Sequence, residues 1–208
     1  MSVRKLTKTQ QTWVVDTEAN ARVYNTPIET GKALDSHQGK TVLPLQFLGT
    51  CGLVSCVNIL RLAGLTEITE ADIVDFAVKY GLCDVSLDPG SNGGTNFLHR
   101  QCILRCFGVE SELAPASIPA IAHYVASGRG VIVSVDAGEL WEDPQYLNGL
   151  HAIIVTSVKT DLDGTILGFY ICDSGRGEDA DSSRYIDVNH MARALSQLPI
   201  NVTSDIIR

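Results

Sequence analysis

The sequence predicts a domain of the α+β class, because helical patterns come first along the chain and β-rich patterns come second. Helix-like segments fill most of residues 51–127. Three β-rich runs follow at 130–135, 151–158 and 165–173, and a short polar turn joins the last two. A chain of 208 residues, of which 45% are hydrophobic, is long enough to enclose one core of this kind.

Four segments carry the helical pattern, each with a start or a stop signal. Residues 51–63 are apolar on almost every face, which is typical of a buried helix, and Gly64 follows as a C-terminal stop. The other three are a helix that starts with a capping-box-like sequence at 69–72 and ends at Gly81, a helix over 96–107 capped by Thr95, and a helix over 118–127 capped by Ser117.

The second half of the chain predicts an antiparallel sheet. The β-branched run at 130–135 indicates a buried strand, and residues 137–149 after it read as a loop. Asp163-Gly164 lies between two β-rich runs, which is a hairpin signal. A short strand at RYIDV, a short helix near 189–196 and a last strand at NVTSDII complete the prediction.

The first 40 residues are mixed and polar, so we expect an extended N-terminal arm or linker at 1–40 and a domain at 41–208. The start MSVRKLTKTQQTW lacks the apolar stretch of a signal peptide. Most of the six cysteines lie in apolar stretches, where a free thiol packs as a small hydrophobe. We therefore expect reduced thiols and a protein that acts in a reducing cytoplasm.

Charge and hydropathy narrow the classes of partner. The chain has 16 Lys and Arg against 24 Asp and Glu, a net charge of −8. A negative field repels phosphates, and no apolar run reaches the roughly 20 residues needed to span a bilayer. We expect a protein substrate or partner, and neither a nucleic acid nor a membrane.

A metal site is the first alternative use of the cysteines. His99, Cys102 and Cys106 fall on one face of the predicted helix at 96–107. That helix is otherwise apolar and no fourth ligand is evident, which favours a face packed in the core over a zinc site. We expect no metal and no cofactor.

Cys51 is the candidate nucleophile, because it stands at the first turn of the predicted buried helix. Unpaired N–H groups and the helix dipole favour negative charge there, and they lower the pKa of a thiol. Gly52 follows, and its lack of a side chain leaves room for a substrate carbonyl to approach.

A nucleophile needs a base and a group that orients the base. His151 opens one strand of the predicted hairpin and Asp173 closes the other, with their midpoint at residue 162 in the turn. If the hairpin closes symmetrically there, the two are cross-strand neighbours about 5 Å apart at Cβ. Asp173 would then fix the rotation and tautomer of the imidazole.

Two further residues are candidates for the site. Gln46 lies five positions before Cys51, where its side-chain N–H and the Cys51 backbone N–H could form an oxyanion hole. Trp141 lies in the loop before His151 and is either a partly buried anchor or a wall that faces the substrate. We favour the wall, because loops beside catalytic strands often shape clefts.

These pieces together resemble the papain-like cysteine peptidase superfamily, most closely the bacterial double-glycine (bacteriocin-processing) peptidases and their stand-alone relatives. The resemblance covers about residues 42–197. It rests on these pieces in chain order: Gln46 with Thr50-Cys51-Gly52, Gly94-Thr95, Phe107-Gly108-Val109-Glu110, GRGVIVSVD, His151-Ala-Ile-Ile-Val, and Cys172-Asp173-Ser174-Gly175.

The resemblance implies a papain-like fold, in which the nucleophile helix packs on an antiparallel sheet that carries His151 and Asp173. By the same resemblance Cys51 would be the nucleophile, His151 the general base and then acid, Asp173 the orienting residue and Gln46 the oxyanion donor. The Gln-to-Cys spacing departs from the family, being five residues instead of six. The third triad residue is Asp, as in the double-glycine group, and not the Asn of papain.

The implied activity is that of a cysteine endopeptidase that cuts proteins after Gly-Gly or other small residues. Stand-alone bacterial relatives include effector and toxin domains delivered from longer secreted proteins, for which an immunity or inhibitor protein covering the cleft is expected. Two alternatives stay open. A protein glutamine deamidase or transglutaminase would use the same triad, and an inactive binding module would keep the fold alone.

Overall fold

The computed structural model describes residues 49–86, 91–175 and 183–207. The predictions for the arm at 1–40 and for Gln46 lie outside these ranges. Six antiparallel strands form one sheet in the order β1-β6-β2-β3-β4-β5. The strands are β1 Ser111–Ala114, β2 Arg129–Asp136, β3 Leu150–Thr160, β4 Ile166–Cys172, β5 Arg184–Asp187 and β6 Ile200–Ile206.

Six α-helices and one short 3₁₀ helix accompany the sheet in the described ranges. The helices are α1 Cys51–Leu62, α2 Glu70–Tyr80, α3 Phe97–Cys106, α4 Ile118–Ala126, α5 Ala137–Trp141 and α6 Val188–Ala194, and the 3₁₀ turn is Pro144–Tyr146. None of these helices is both long and apolar enough to cross a bilayer. The predicted α+β class is confirmed.

The sheet is covered on both faces, because successive strand residues point to opposite sides. On β3, Ala152 and Ile154 pack with the buried side chains of α1, α2 and α3. Ile153 and Val155 pack with those of α4, α5 and α6 on the other face. The central strands β2 and β3 are therefore buried at most positions, without the alternation of a half-exposed sheet.

Helix α1 lies in the core, as its all-round apolar sequence predicts. From Gly52 to Leu60 every residue is buried. The helix ends at Leu62 and Gly64 follows with φ 102°, a left-handed conformation that glycine adopts without strain. The consequence for the site is that Cys51, at the first position of α1, is held in place by a helix packed in the core.

The predicted caps of the other helices are mostly correct. Thr69 and Asp72 form a reciprocal capping box at the start of α2, and Ser117 caps α4. Thr95 is not the cap of α3: the neighbouring Asn96 accepts the N–H of His99 and starts that helix. Threonine and asparagine can both cap a helix, and the sequence prediction placed the cap one residue too early.

Three other sequence predictions are wrong or incomplete. The face of α3 that carries His99, Cys102 and Cys106 is not a core face, since Cys106 is exposed and the buried residues are those at 100, 103 and 104. The predicted loop 137–149 contains α5 and the 3₁₀ turn. Strand β1 was not predicted; it has only four residues and is held by pairing with β6.

The hairpin of β3 and β4 does not close at residue 162. Ile154 pairs with Cys172 and Thr160 with Ile166, with register shifts along the ladder. The turn is centred on residue 163, and Gly164 within it has φ 84°. His151 is therefore not directly across from Asp173 but displaced along the strand from it, and the two side chains meet diagonally on the same side of the sheet.

Candidate active site

Cys51 stands at the first position of α1 with no side chain capping the helix. The preceding residue, Thr50, has the right chemistry for a cap, but its hydroxyl donates instead to the buried Glu70 at 2.6 Å. The N–H groups of the first turn are therefore left to face the position of the thiol, together with the positive end of the helix dipole. This arrangement favours a thiolate.

Strand β3 supplies a second stabilising contact. The Ala152 backbone N–H donates to Cys51 Sγ at 3.4 Å. Strand β3 lies in the middle of the sheet, where its neighbours β2 and β4 hold it on both sides. The sulfur is thus located between the start of a buried helix and the centre of a sheet.

His151 precedes Ala152 on the same strand and is buried, with 7% of its surface exposed. Its Nε2 lies 2.7 Å from Asp173 Oδ1. Because Nε2 is engaged by the carboxylate, Nδ1 is the ring nitrogen left to interact with the Cys51 thiol. The structure thus brings together three of the predicted site residues in the order expected of a nucleophile, a base and an orienting acid.

Asp173 is completely buried and surrounded by hydrogen-bond donors. Besides His151 at Oδ1, the Gly175 backbone N–H donates to Oδ1 at 2.8 Å. At Oδ2, Trp141 Nε1 donates at 2.8 Å and Arg184 Nη2 at 2.9 Å. A buried carboxylate is costly unless its lone pairs are satisfied, and here the two oxygens accept four bonds.

The pKa values of Cys51, His151 and Asp173 shift in the directions that favour a thiolate, an imidazolium and a carboxylate. Burial alone would raise the pKa of the Cys51 thiol, but the charge and hydrogen bond of His151 and the Ala152 N–H hold it below its ordinary value. Burial opposes a charged His151, yet the Cys51 thiolate and Asp173 raise its pKa to about 10. Despite burial, hydrogen bonds from His151 and Trp141 lower the pKa of Asp173 to about 2.

A cleft of about 330 Å³ opens beside the thiol and the imidazole. It runs between the start of α3 and the sheet. Its lining includes Cys51, His151 and Ala152 at one end, Gly94, Thr95 and Phe97 along the α3 side, Ser134 and Arg100 at the base, and Leu150, Leu198 and Asp84 at the rim. A polypeptide segment could therefore reach the sulfur from this side.

Trp141 does not line this cleft. Its ring packs 5.1 Å from the His151 ring, between centroids, and its N–H is committed to Asp173. Gly175 allows this packing, because a Cβ there would overlap Trp141. Trp141 thus lies behind the imidazole as the partly buried anchor that the sequence left as an alternative, and not as the wall of this cleft that we favoured.

The structure gives a further reason for a glycine at position 52, which the sequence alone does not show. A Cβ at this position would overlap Thr95 Oγ1 and would come within 3.3 Å of Thr95 Cβ. The glycine therefore lets the first turn of α1 approach the segment before α3. The approach brings the N-terminus of α1 to the cleft.

We expect Gly52→Ala to destabilise the fold. Alanine gains about 1 kcal/mol of helix propensity over glycine, but overpacking against the Thr95 side chain costs about 1–3 kcal/mol. The net loss of unfolding free energy should be measured by urea denaturation. Thr95→Ala in the same chain should recover part of it, because the overlapping oxygen is removed. Stability that is unchanged or higher in Gly52→Ala alone would contradict this packing argument.

Several functional groups were not found from the sequence. Arg184, the Ala152 N–H and the buried Arg100 all come to the site from separate elements, and no local pattern marks them. Two other histidines have partners away from Cys51: His190 Nε2 lies 2.9 Å from the Glu139 carbonyl oxygen, and the His123 ring makes an edge-on contact with the Tyr124 ring. Within the described ranges no group of three or more His, Cys, Asp or Glu side chains is arranged to hold a metal.

Comparison with known proteins bears on the fold. No family model matches the sequence, and no curated protein matches it. Among solved structures, a Bacillus anthracis protein named as a C39-like peptidase is similar, with 13% identity, a TM-score of 0.56, and coverage of 88% of this chain and 96% of that chain. A double glycine motif protease from an AMS/PCAT transporter, solved with a leader peptide, has 15% identity and a TM-score of 0.49 and covers 85% and 96%.

The chain thus has the fold of this C39-like peptidase, as the predicted α+β arrangement of a helical part packed on an antiparallel sheet requires. At this identity the likeness concerns the fold, as the chemistry belongs to particular side chains and not to the fold.

Proposed function

We propose that this protein is a cysteine endopeptidase that cuts protein substrates through Cys51, His151 and Asp173. The observation that carries the proposal is the placement of the Cys51 thiol at an uncapped helix N-terminus, beside an imidazole held by a buried aspartate. A thiolate that is hydrogen-bonded to an imidazolium in a cleft is the arrangement that activates a thiol nucleophile.

The proposed reaction is acyl transfer in two steps. The Cys51 thiolate attacks the carbonyl carbon of a peptide bond, and the negative charge moves to the carbonyl oxygen. The Cys51 backbone N–H and the first turn of α1 stabilise that oxyanion. His151 gives its Nδ1 proton to the leaving amine, the C–N bond breaks and a thioester remains. A water molecule then gives a proton to His151 and attacks the thioester, which releases the acid and the thiolate.

We propose a small residue, such as glycine, at the carbonyl that Cys51 attacks. Thr95 and His151 both line the cleft next to the sulfur, and the Gly52 backbone lies against Thr95. A substrate backbone that passes between these groups leaves little room for a side chain. We therefore expect a residue with a small side chain at this position. Peptides with Leu at that position should be cut at least about tenfold more slowly than those with Gly.

The test is incubation of the protein with unstructured peptides that contain Gly-Gly, Ala-Ala or Leu-Leu, followed by intact mass. Two fragments whose masses sum to the peptide plus one water support the peptidase. A gain of about 1 Da at glutamine without fragmentation would instead identify a deamidase using the same acyl-enzyme chemistry. Prior alkylation of Cys51 should abolish either product.

A prediction that needs no substrate concerns the reactivity of Cys51. At pH 6 an ordinary thiol is almost wholly protonated, whereas the lowered pKa of Cys51 leaves a larger fraction of this thiol as thiolate. We expect iodoacetamide to modify Cys51 at least about tenfold faster than the exposed Cys106, as followed by peptide mass from pH 5 to 9. His151→Ala should remove most of the difference.

Cys106 is the internal standard for this measurement, since it is exposed and its pKa is raised by desolvation and by its neighbour Cys102. If Cys51 labels with the pH dependence of an ordinary thiol, the proposed ion pair is absent and the peptidase proposal fails with it.

A further inference from the structure

Arg100 is a buried cation at the base of the cleft. It lies on the inward face of α3 and only 2% of its surface is exposed. Its Nε donates to Asn201 at 3.0 Å and its Nη2 to Ser134 at 3.0 Å, and both partners are neutral. Among the residues that the structure describes, no carboxylate forms an ion pair with it. A guanidinium has five N–H donors, so three remain for another acceptor.

A buried charge without a counter-charge is unfavourable. In the resting site the Cys51 thiolate supplies part of the compensation, since Arg100 is one of the groups that lower the pKa of that thiol. When the sulfur bonds to a substrate carbonyl, the negative charge leaves the sulfur and the guanidinium loses this compensation. A carboxylate brought by the substrate would restore it.

The Thr95 hydroxyl, in the same cleft as Arg100, is a second polar group that a ligand could satisfy. Thr95 Oγ1 is buried and has no hydrogen-bond partner among the described residues, and Thr95 lines the cleft with Arg100. Buried polar atoms in native proteins usually have partners. A ligand in the cleft with acceptor oxygens would satisfy both the hydroxyl and the guanidinium.

The walls of the cleft fit the rest of an acidic side chain. Phe97, Leu150 and Leu198 line it and would contact methylene groups. Asp84 also lines the cleft and is unfavourable to an anion, but it is exposed at the rim, where water and salt screen its charge. The buried cation therefore dominates at the base.

We propose that the cleft takes an acidic side chain of the substrate, within two residues of the bond that is cut, with its carboxylate on Arg100. The proposal rests on the proposed function in that it names a substrate feature for the same site. The proposed function already has a small residue at the attacked carbonyl, and this proposal adds a preference for glutamate or aspartate at a neighbouring position. The reason is that a charged hydrogen bond in a desolvated pocket is strong and specific.

The experiment compares two alkylating reagents that differ in one charge, N-iodoacetyl-glutamic acid α-amide and N-iodoacetyl-glutamine α-amide. Rates of Cys51 modification are divided by the rates with free 2-mercaptoethanol. Both reagents need the same thiolate, so their ratio does not depend on the thiolate fraction. We expect the glutamate reagent to react about tenfold faster with the protein. Arg100→Gln should bring the ratio close to one.

Arg105→Gln is the matched control, because Arg105 is exposed on the same helix and pairs with Glu110 away from the cleft. It should keep the ratio of the unaltered protein. Arg100→Lys should keep part of the preference, since the charge stays while the planar donor fork is lost. Equal rates for the two reagents in the unaltered protein would overturn the proposal, and this arm needs no variant that might fail to fold.

A second arm uses peptides in which glutamate replaces glutamine at each of the two positions on either side of a cut bond. A rate increase of about tenfold at one position, lost in Arg100→Gln, supports the proposal. No increase at any position would overturn it. If no peptide is cut at all but the alkylation ratio depends on Arg100, the peptidase proposal fails while the anion-binding subsite stands.

Discussion

Cys51→Ser should reduce cleavage to the background rate, a loss on the order of 10⁶-fold. The substitution changes one atom and leaves the packing of α1 intact, so the loss reports on chemistry. A serine hydroxyl stays protonated beside His151, whereas the Cys51 thiol has a lowered pKa and forms an ion pair. The measurement is kcat/KM on the best peptide found, with circular dichroism to show that the variant is folded.

Cys106→Ser is the control for the first prediction, since this exposed cysteine is the last residue of α3, does not line the cleft and should leave kcat/KM unchanged. Activity that survives in Cys51→Ser, or that disappears equally in Cys106→Ser, would show that Cys51 is not the nucleophile.

Asp173→Asn should produce the second largest effect, a loss of kcat/KM at pH 7 of about 10²- to 10⁴-fold. Asparagine keeps the shape but removes the negative charge that, with the Cys51 thiolate, raises the pKa of His151 to about 10. The imidazolium then loses its proton at lower pH. The pH–rate profile of the unaltered protein should extend to about pH 10, and that of the variant should fall off earlier.

The same substitution should change stability in acid. Since the pKa of Asp173 is lowered from 3.8 to about 2, its ionised form contributes about 2 kcal/mol of unfolding free energy above pH 4. That contribution is lost as the pH falls from 4 towards 2. Asp173→Asn should flatten the urea midpoint over this interval. Asp205→Asn, at an exposed position of β6, should keep the slope of the urea midpoint against pH.

The pH–rate profile tests the orienting role of Asp173. If its alkaline limb does not move in Asp173→Asn, that role is refuted.

The parts of the fold that the sequence predicts are those with strong local signals. The apolar run of α1, the capping box of α2 and the β-branched strands β2 and β3 each determine their own structure. Strand β1 has four residues and exists because β6 pairs with it, a long-range cause that no local pattern shows. The hairpin register moved for a related reason, since irregularities in the β3–β4 ladder shift the pairing.

The candidate site shows the same division. Cys51, His151 and Asp173 stand at element boundaries with a recognisable order, so they could be found from the sequence. Arg184 reaches Asp173 from β5, and Arg100 lines the cleft with Cys51 from α3. An arginine in a helix is normally exposed, so nothing in the sequence marks Arg100 as buried.

The contact between Cys51 and the Ala152 N–H joins residues that are 101 positions apart in the chain. Contacts of such separation form late, because the intervening loop must first be closed. An enhanced reactivity of this thiol therefore arises only in the completed molecule and not in any nascent or partly unfolded form. The Cys51 alkylation rate should serve as a reporter of native structure, and a chain still being synthesised should be unable to cut its neighbours.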